Sequence, residues 1–235
     1  MNKKKRFNLV LLVLFCFKGF TQNKSDSLYM NFKIKFDQEQ VELQKKYISK
    51  NSDTLSFKTF KCYFSAIEIY FSDNSVFRKK NSHHLLDIEN QSTSHIPIMR
   101  TTFKTISKVV FNIGIDSIAS TSGAMSGDLD PINGMYWAWQ SGYINMKIEG
   151  ESSSCKTRNN EFQFHIGGYL KPNYAMRKIE IPVQKAAVQN NQINIAVDLN
   201  QLFSEIDLKK INSIMIPGNK AMEIATRSTK MFYLE

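Results

Sequence analysis

The chain has 235 residues, 42% of them hydrophobic, and a formal charge of +10, enough for one domain with a sizeable core. Half of that surplus charge sits in the first 21 residues, where Lys3, Lys4, Lys5, Arg6 and Lys18 meet no acidic residue. The remainder needs no acidic partner, and no Lys/Arg stripe with interleaved aromatics forms a nucleic-acid footprint, so nucleic-acid binding is not expected.

In chain order, the basic residues lead into an apolar run from Leu9 to Phe17 and then Gly19, Phe20 and Thr21, the layout of a secretory signal peptide. The run is too short for a membrane span, which takes roughly 20 residues. Cleavage is expected near Thr21, with residues 1–21 as signal peptide and residues 22–235 as one domain, periplasmic or otherwise exported, without a transmembrane span. Cys16 closes the apolar run, but the bulky Phe15 before it fits a lipid-attachment signal poorly. A soluble exported protein is expected rather than a lipoprotein.

From Leu28 to Phe36 the apolar residues Leu28, Met30, Phe32, Ile34 and Phe36 alternate with Tyr29, Asn31, Lys33 and Lys35, the period of a strand with one wet face. The period returns at Ile67–Phe71, Val109–Ile115, Ile144–Ile148, Phe162–Ile166, Ile179–Val183 and Ile193–Leu199. Short strands with polar breaks predict an all-β fold, an antiparallel β-sandwich or barrel. Pro182 cannot donate to a ladder, so its strand is expected at an edge or a bulge. Helix is confined to one or two short pieces near the C-terminus, over Asn200–Ile211 with Asp198 or Asn200 as cap, and over Lys220–Ser228. Cys62 and Cys155 either pair, contributing roughly 4–5 kcal/mol in a chain-entropy picture, or stay as two buried thiols.

The segment Gly127–Tyr143, GDLDPINGMYWAWQSGY, holds both tryptophans of the chain, Trp137 and Trp139, among the turn residues Gly127, Pro131 and Gly134. In an extended segment the two indoles share one side. Asp128 and Asp130 precede Pro131 as a calcium loop might, yet calcium takes six to eight oxygens and no EF-hand spacing is present. Their simpler role is bonding turn backbone.

This segment, together with INMKIEG at Ile144–Gly150 and FQFHIGGY at Phe162–Tyr169, resembles the MbnP-like family of bacterial periplasmic copper-binding proteins. CYFSAIEIYF at Cys62–Phe71, HLLDIEN at His84–Asn90 and VVFNIGIDS at Val109–Ser117 resemble it in order and spacing, so the likeness covers nearly all of the mature chain. The resemblance implies a β-sandwich that binds Cu(I) outside the cytoplasm. It also implies that a tryptophan, here Trp137 or Trp139, is oxidised to kynurenine by a di-haem partner of the cytochrome c peroxidase type. An indole offers only an N–H donor, whereas the opened ring exposes an amine and a carbonyl.

His165 matches the histidine of the family's Phe-His-Gly segment and falls with Gln163 on the face opposite Phe162, Phe164 and Ile166. A neutral imidazole suits copper, and thioethers suit Cu(I), which makes Met135 a further candidate beside Met125 and Met146. Met146 alternates with Ile144 and Ile148 and reads as core. His83, His84 and His95 read as surface residues, His95 in a loop. Related sequences often carry histidines toward the C-terminus, where this chain has none. No G-x-S-x-G, H-E-x-x-H or glycine-rich phosphate loop is present, and Glu149 and Glu151 read as strand-end acids, so no enzyme is expected. The competing expectation is a sandwich interaction or adhesion module binding a protein or glycan through Trp137, Trp139, Tyr136 and Tyr143.

Overall fold

A computed structural model describes residues 27–80, 82–100, 104–140, 142–184 and 187–235. The expected signal peptide, its cleavage point and Cys16 lie outside these residues. The strands are, in chain order, β1 (Ser27–Phe36), β2 (Glu39–Gln40), β3 (Lys46–Ile48), β4 (Thr54–Phe71), β5 (Val76–Arg78), β6 (His83–Asp87), β7 (His95–Arg100), β8 (Ile106–Ile113) and β9 (Tyr136–Trp137). They continue as β10 (Gly142–Ser152), β11 (Glu161–Gly167), β12 (Tyr169–Leu170), β13 (Asn173–Tyr174), β14 (Arg177–Pro182), β15 (Val188–Gln189), β16 (Gln192–Asp198), β17 (Ser213–Ile214) and β18 (Phe232–Leu234).

Two sheets face each other. The larger runs β14-β8-β4-β10-β11-β17, with β3, β5 and β6 also on β4 and β9 on β10. The smaller runs β15-β16-β1-β2, with β18 on β16 and β7 on β1. The inward residues of β1 and β4 meet directly: the rings of Phe32 and Phe64 stack at 4.1 Å between centroids, and Phe111 and Phe232 close over them edge-on. Aromatic rings at these separations add to the burial that holds the layers together. The sandwich is therefore as the alternation predicts, but its pairing is mixed. β1 runs parallel to β16 and β11 parallel to β17, contacts between distant segments that no local pattern encodes.

Strand β4 is the backbone of the larger sheet. A bulge around Ala66, whose φ is +48°, bends it, so that its first half pairs with β10 and its second with β8. Pro182 ends β14, which is an edge strand of the larger sheet, where a missing N–H costs nothing.

The helices are α1 (Ser117–Thr121), α2 (Leu199–Phe203) and α3 (Asn219–Arg227). Asp198 caps α2 by accepting from the Asn200 N–H at 3.0 Å. The helix expected over Asn200–Ile211 stops at Phe203, because Ile206 and Leu208 reach the core from turns and leave the helical period nothing to bury. Cys62 and Cys155 are both buried free thiols, so the disulfide does not form. Among the described residues no helix is long and apolar enough to cross a membrane, which says nothing about strands.

Candidate functional site

The Trp segment lies on the outer face of the larger sheet. The chain leaves β8 past Gly114, whose φ of +104° and whose closeness to Asn145 admit no side chain: a Cβ there would sit 2.3 Å from the Asn145 Cγ. Asp116 caps α1 by accepting from the Ala119 N–H, and two short turns follow at Gly127–Leu129 and Pro131–Asn133. Gly134, at φ +70°, closes the second turn and feeds β9. The cover carries its own apolar cluster, in which Tyr63, Leu85, Ile115, Leu129, Met135, Trp137, Tyr143 and Ile144 pack together.

Polar ties fix this cover to the sheet. The Tyr63 hydroxyl donates to the Asp128 carbonyl at 2.8 Å, and the Tyr143 hydroxyl to the Leu129 carbonyl at 3.0 Å. The Asp128 carboxylate accepts the N–H of Leu85 at 3.0 Å, and Lys61, paired with Asp87 at 2.9 Å, donates to the Asn133 carbonyl. Asp130 accepts from the Ile132 N–H at 2.9 Å. Asp130 thus bonds turn backbone as expected, whereas the Asp128 carboxylate reaches across to strand β6 and ties the cover to the sheet.

The two tryptophans differ sharply in environment. Trp137 is 6% exposed and Trp139 65%, because β9 ends at Trp137 and the chain then turns. The extended geometry that would put both on one side does not occur, yet the rings remain 5.8 Å apart, tilted by 47°. The Trp137 ring sits on Gly167 of β11, where a Cβ would meet Cζ3 at 2.7 Å and Cη2 at 2.9 Å. His165 lies two residues along β11 on the same face, roughly 7 Å away along the strand.

His165 is 7% exposed, and its Nε2 lies 2.6 Å from Oε1 of Glu149. Lys147, the cross-strand partner of His165, brings its ammonium to 3.5 Å from the same oxygen. The hydrogen bond from His165, followed by the Lys147 charge, holds the Glu149 carboxyl below the ordinary carboxylate range against the opposing effect of burial. Glu149 was legible only as a strand-end acid; the register that pairs it with Gln163 makes it a diagonal neighbour of His165. Gly167 as the seat of an indole likewise had no signal beyond its being glycine.

The other candidates fall elsewhere. Met135 is fully buried within the cover's apolar cluster, and Met146 lies in the main core as its alternation implies. His83 Nε2 stands 3.8 Å from Asp116 and His84 Nδ1 3.9 Å from Asp128, so the two rings serve different carboxylates. Burial pushes His84 down to about 4. His95 opens β7 rather than lying in a loop, its Nδ1 bonded to Asn31 at 2.9 Å. Tyr143 is buried and cannot belong to an exposed aromatic surface. Among the described residues no three His, Cys, Asp or Glu side chains converge as a metal cage. The encoded side chains alone therefore offer an imidazole beside an indole, not a finished chelate.

A two-sheet sandwich whose outer face is roofed by a Trp-bearing segment, seated beside a buried histidine, defines a class of protein. The MbnP family model matches residues 25–216, and the chain belongs to the MbnP family. Among solved structures it is similar to MbnP from Methylosinus trichosporium, with 12% identity, 82% of each chain covered and a TM-score of 0.58, a likeness of fold. No curated protein matches.

Proposed function

We propose that this protein is an exported copper-handling member of its family, matured by oxidation of Trp137 to kynurenine, with copper as cargo and no turnover of its own. The observation that carries the reading is the seat of the Trp137 ring on Gly167, on the strand face that also bears His165. Opening that indole would expose an aromatic amine and a carbonyl on the face that bears the His165 imidazole, and the amine and the imidazole are nitrogen donors that copper accepts. Trp139, exposed and 5.8 Å from Trp137, is the ring an external oxidant meets first. The conversion adds two oxygen atoms across the indole C2–C3 bond and then releases C2 as formate by hydrolysis. The oxidant is two equivalents of peroxide, each reduced to water by a di-haem partner of the peroxidase type as one oxygen is inserted, and a further water takes up the formyl group in the hydrolysis.

Peptide mapping of protein made with and without such a partner tests this. The Met135–Tyr143 peptide should gain one oxygen and lose one carbon, at Trp137, only with the partner, and Cu(I) should bind the converted form more tightly. Identical peptides and equal copper affinity in both preparations would dispose of the reading. The interaction-module alternative draws on Trp139 and on Ile132, which is 88% exposed in the neighbouring turn. It predicts that Trp139→Ala abolishes capture of a protein or glycan and leaves copper binding alone.

A further inference from the structure

The outer face of β10 and β11 carries a polar group of three: Lys147, Glu149 and His165. All three are at least partly buried, and their arrangement is directional. The imidazole Nε2 faces the Glu149 carboxylate at 2.6 Å, and a carboxylate held by a lysine ammonium is an acceptor only, so Nε2 must carry the proton. The other ring nitrogen, Nδ1, has no hydrogen-bond partner among the described residues.

We propose that Glu149 is a positioning residue for His165: by accepting the Nε2 proton it locks the imidazole in one tautomer and one orientation, presenting Nδ1 as the free base. The donor atom offered to a soft metal ion on this face is therefore Nδ1, and Nε2 stays bonded to Glu149 when the ion is bound. A carboxylate behind a ligating histidine fixes the ring and raises its basicity, and its loss costs about 10- to 100-fold in metal affinity. The metal half of this inference rests on the copper-handling reading; the tautomer half does not.

The two halves separate in one experiment on protein spanning residues 22–235, labelled with 15N-histidine and measured at neutral pH before and during titration with Cu(I). The unmodified protein should show His165 as a single tautomer with a pyrrole-type Nε2 and a pyridine-type Nδ1. In the oxidised protein, added Cu(I) should move Nδ1 alone. In Glu149→Gln, whose amide can either donate or accept, both tautomers should be populated and Cu(I) should bind at least about tenfold more weakly. Glu149→Asp, which keeps the charge, checks that any loss does not come from misfolding and should restore part of the single-tautomer signal. A mixed or Nδ1-protonated His165 in the unmodified protein, or a Glu149→Gln protein with unchanged spectrum, overturns the proposal. So does Cu(I) displacing the proton from Nε2. A locked tautomer with no response to Cu(I) in either the oxidised or unoxidised protein leaves Glu149 as a positioning residue and defeats the copper reading instead.

Discussion

Gly167→Ala isolates the contact on which the candidate site is built. A Cβ at this position would lie 2.7 Å from Trp137 Cζ3, 2.7 Å from the Tyr143 carbonyl oxygen and 2.9 Å from Trp137 Cη2, against ordinary contacts of 3.4–4 Å. The carbonyl is backbone in a paired strand and cannot swing away, so the indole must lift by most of an ångström. Gly167 has ordinary strand backbone, and the cost is therefore steric alone. Overpacking of this kind costs typically 1–3 kcal/mol, and for a domain of about 200 residues each kcal/mol lowers the melting temperature by about 2–4 °C. In a Trp139→Phe background the remaining indole reports on itself. Gly167→Ala should melt about 2–12 °C lower and shift the Trp137 emission to the red, since the lifted ring admits water. An unchanged melting temperature with unchanged emission would show that the ring is not seated on β11, and the link between Trp137 and His165 would fall with it.

Asn145→Ala should cost about 1–3 kcal/mol in urea denaturation, because it strips the 3.1 Å acceptor from the buried Ile115 N–H where the cover leaves the sheet. A change within error would mean that this N–H finds another partner. For His84 the folded value of about 4 lies below the ordinary 6.5, so the unfolded chain takes up the proton first as pH falls. The stabilisation is complete above about pH 6.5 and is lost between there and about pH 4, by about 2 kcal/mol once residual solvent contact is allowed for. Urea midpoints measured across that range should flatten in His84→Gln; equal slopes would refute the assignment. Both thiols should resist iodoacetamide in the native protein and react together on unfolding, since burial raises Cys62 strongly and Cys155 to about 11. Recovery of a Cys62–Cys155 cross-linked peptide would contradict the two-thiol state.

Much of the sandwich is legible in alternation. Met30, Phe32, Ile34 and Phe36 all point inward, as do Phe162, Phe164 and Ile166, and His165 emerges on the opposite face with Gln163 as the period requires. Alternation fixes which face a residue takes, not which strand lies beside it. Hence the parallel pairing of β1 with β16 escaped, and so did the Glu149–His165 pair, which depends on the register of β10 against β11. The two tryptophans were misread for a related reason. Period-two placement holds only while the backbone stays extended, and β9 ends between them. The helix after Asp198 failed because its apolar spacing suits a helix and a series of turns equally well, and the core contacts of Ile206 and Leu208 decided for turns.

The parallel pairing of β1 and β16 also sets the timing of assembly. Asn31 bonds Asn194 across 163 positions of sequence, and β16 is in turn edged by β18 at the far end of the chain. β1 can pair early with β2 and β7, but its other edge stays open until β16, with β18 beside it, has joined. Such long-range closure makes folding slow compared with a sheet built from neighbouring hairpins.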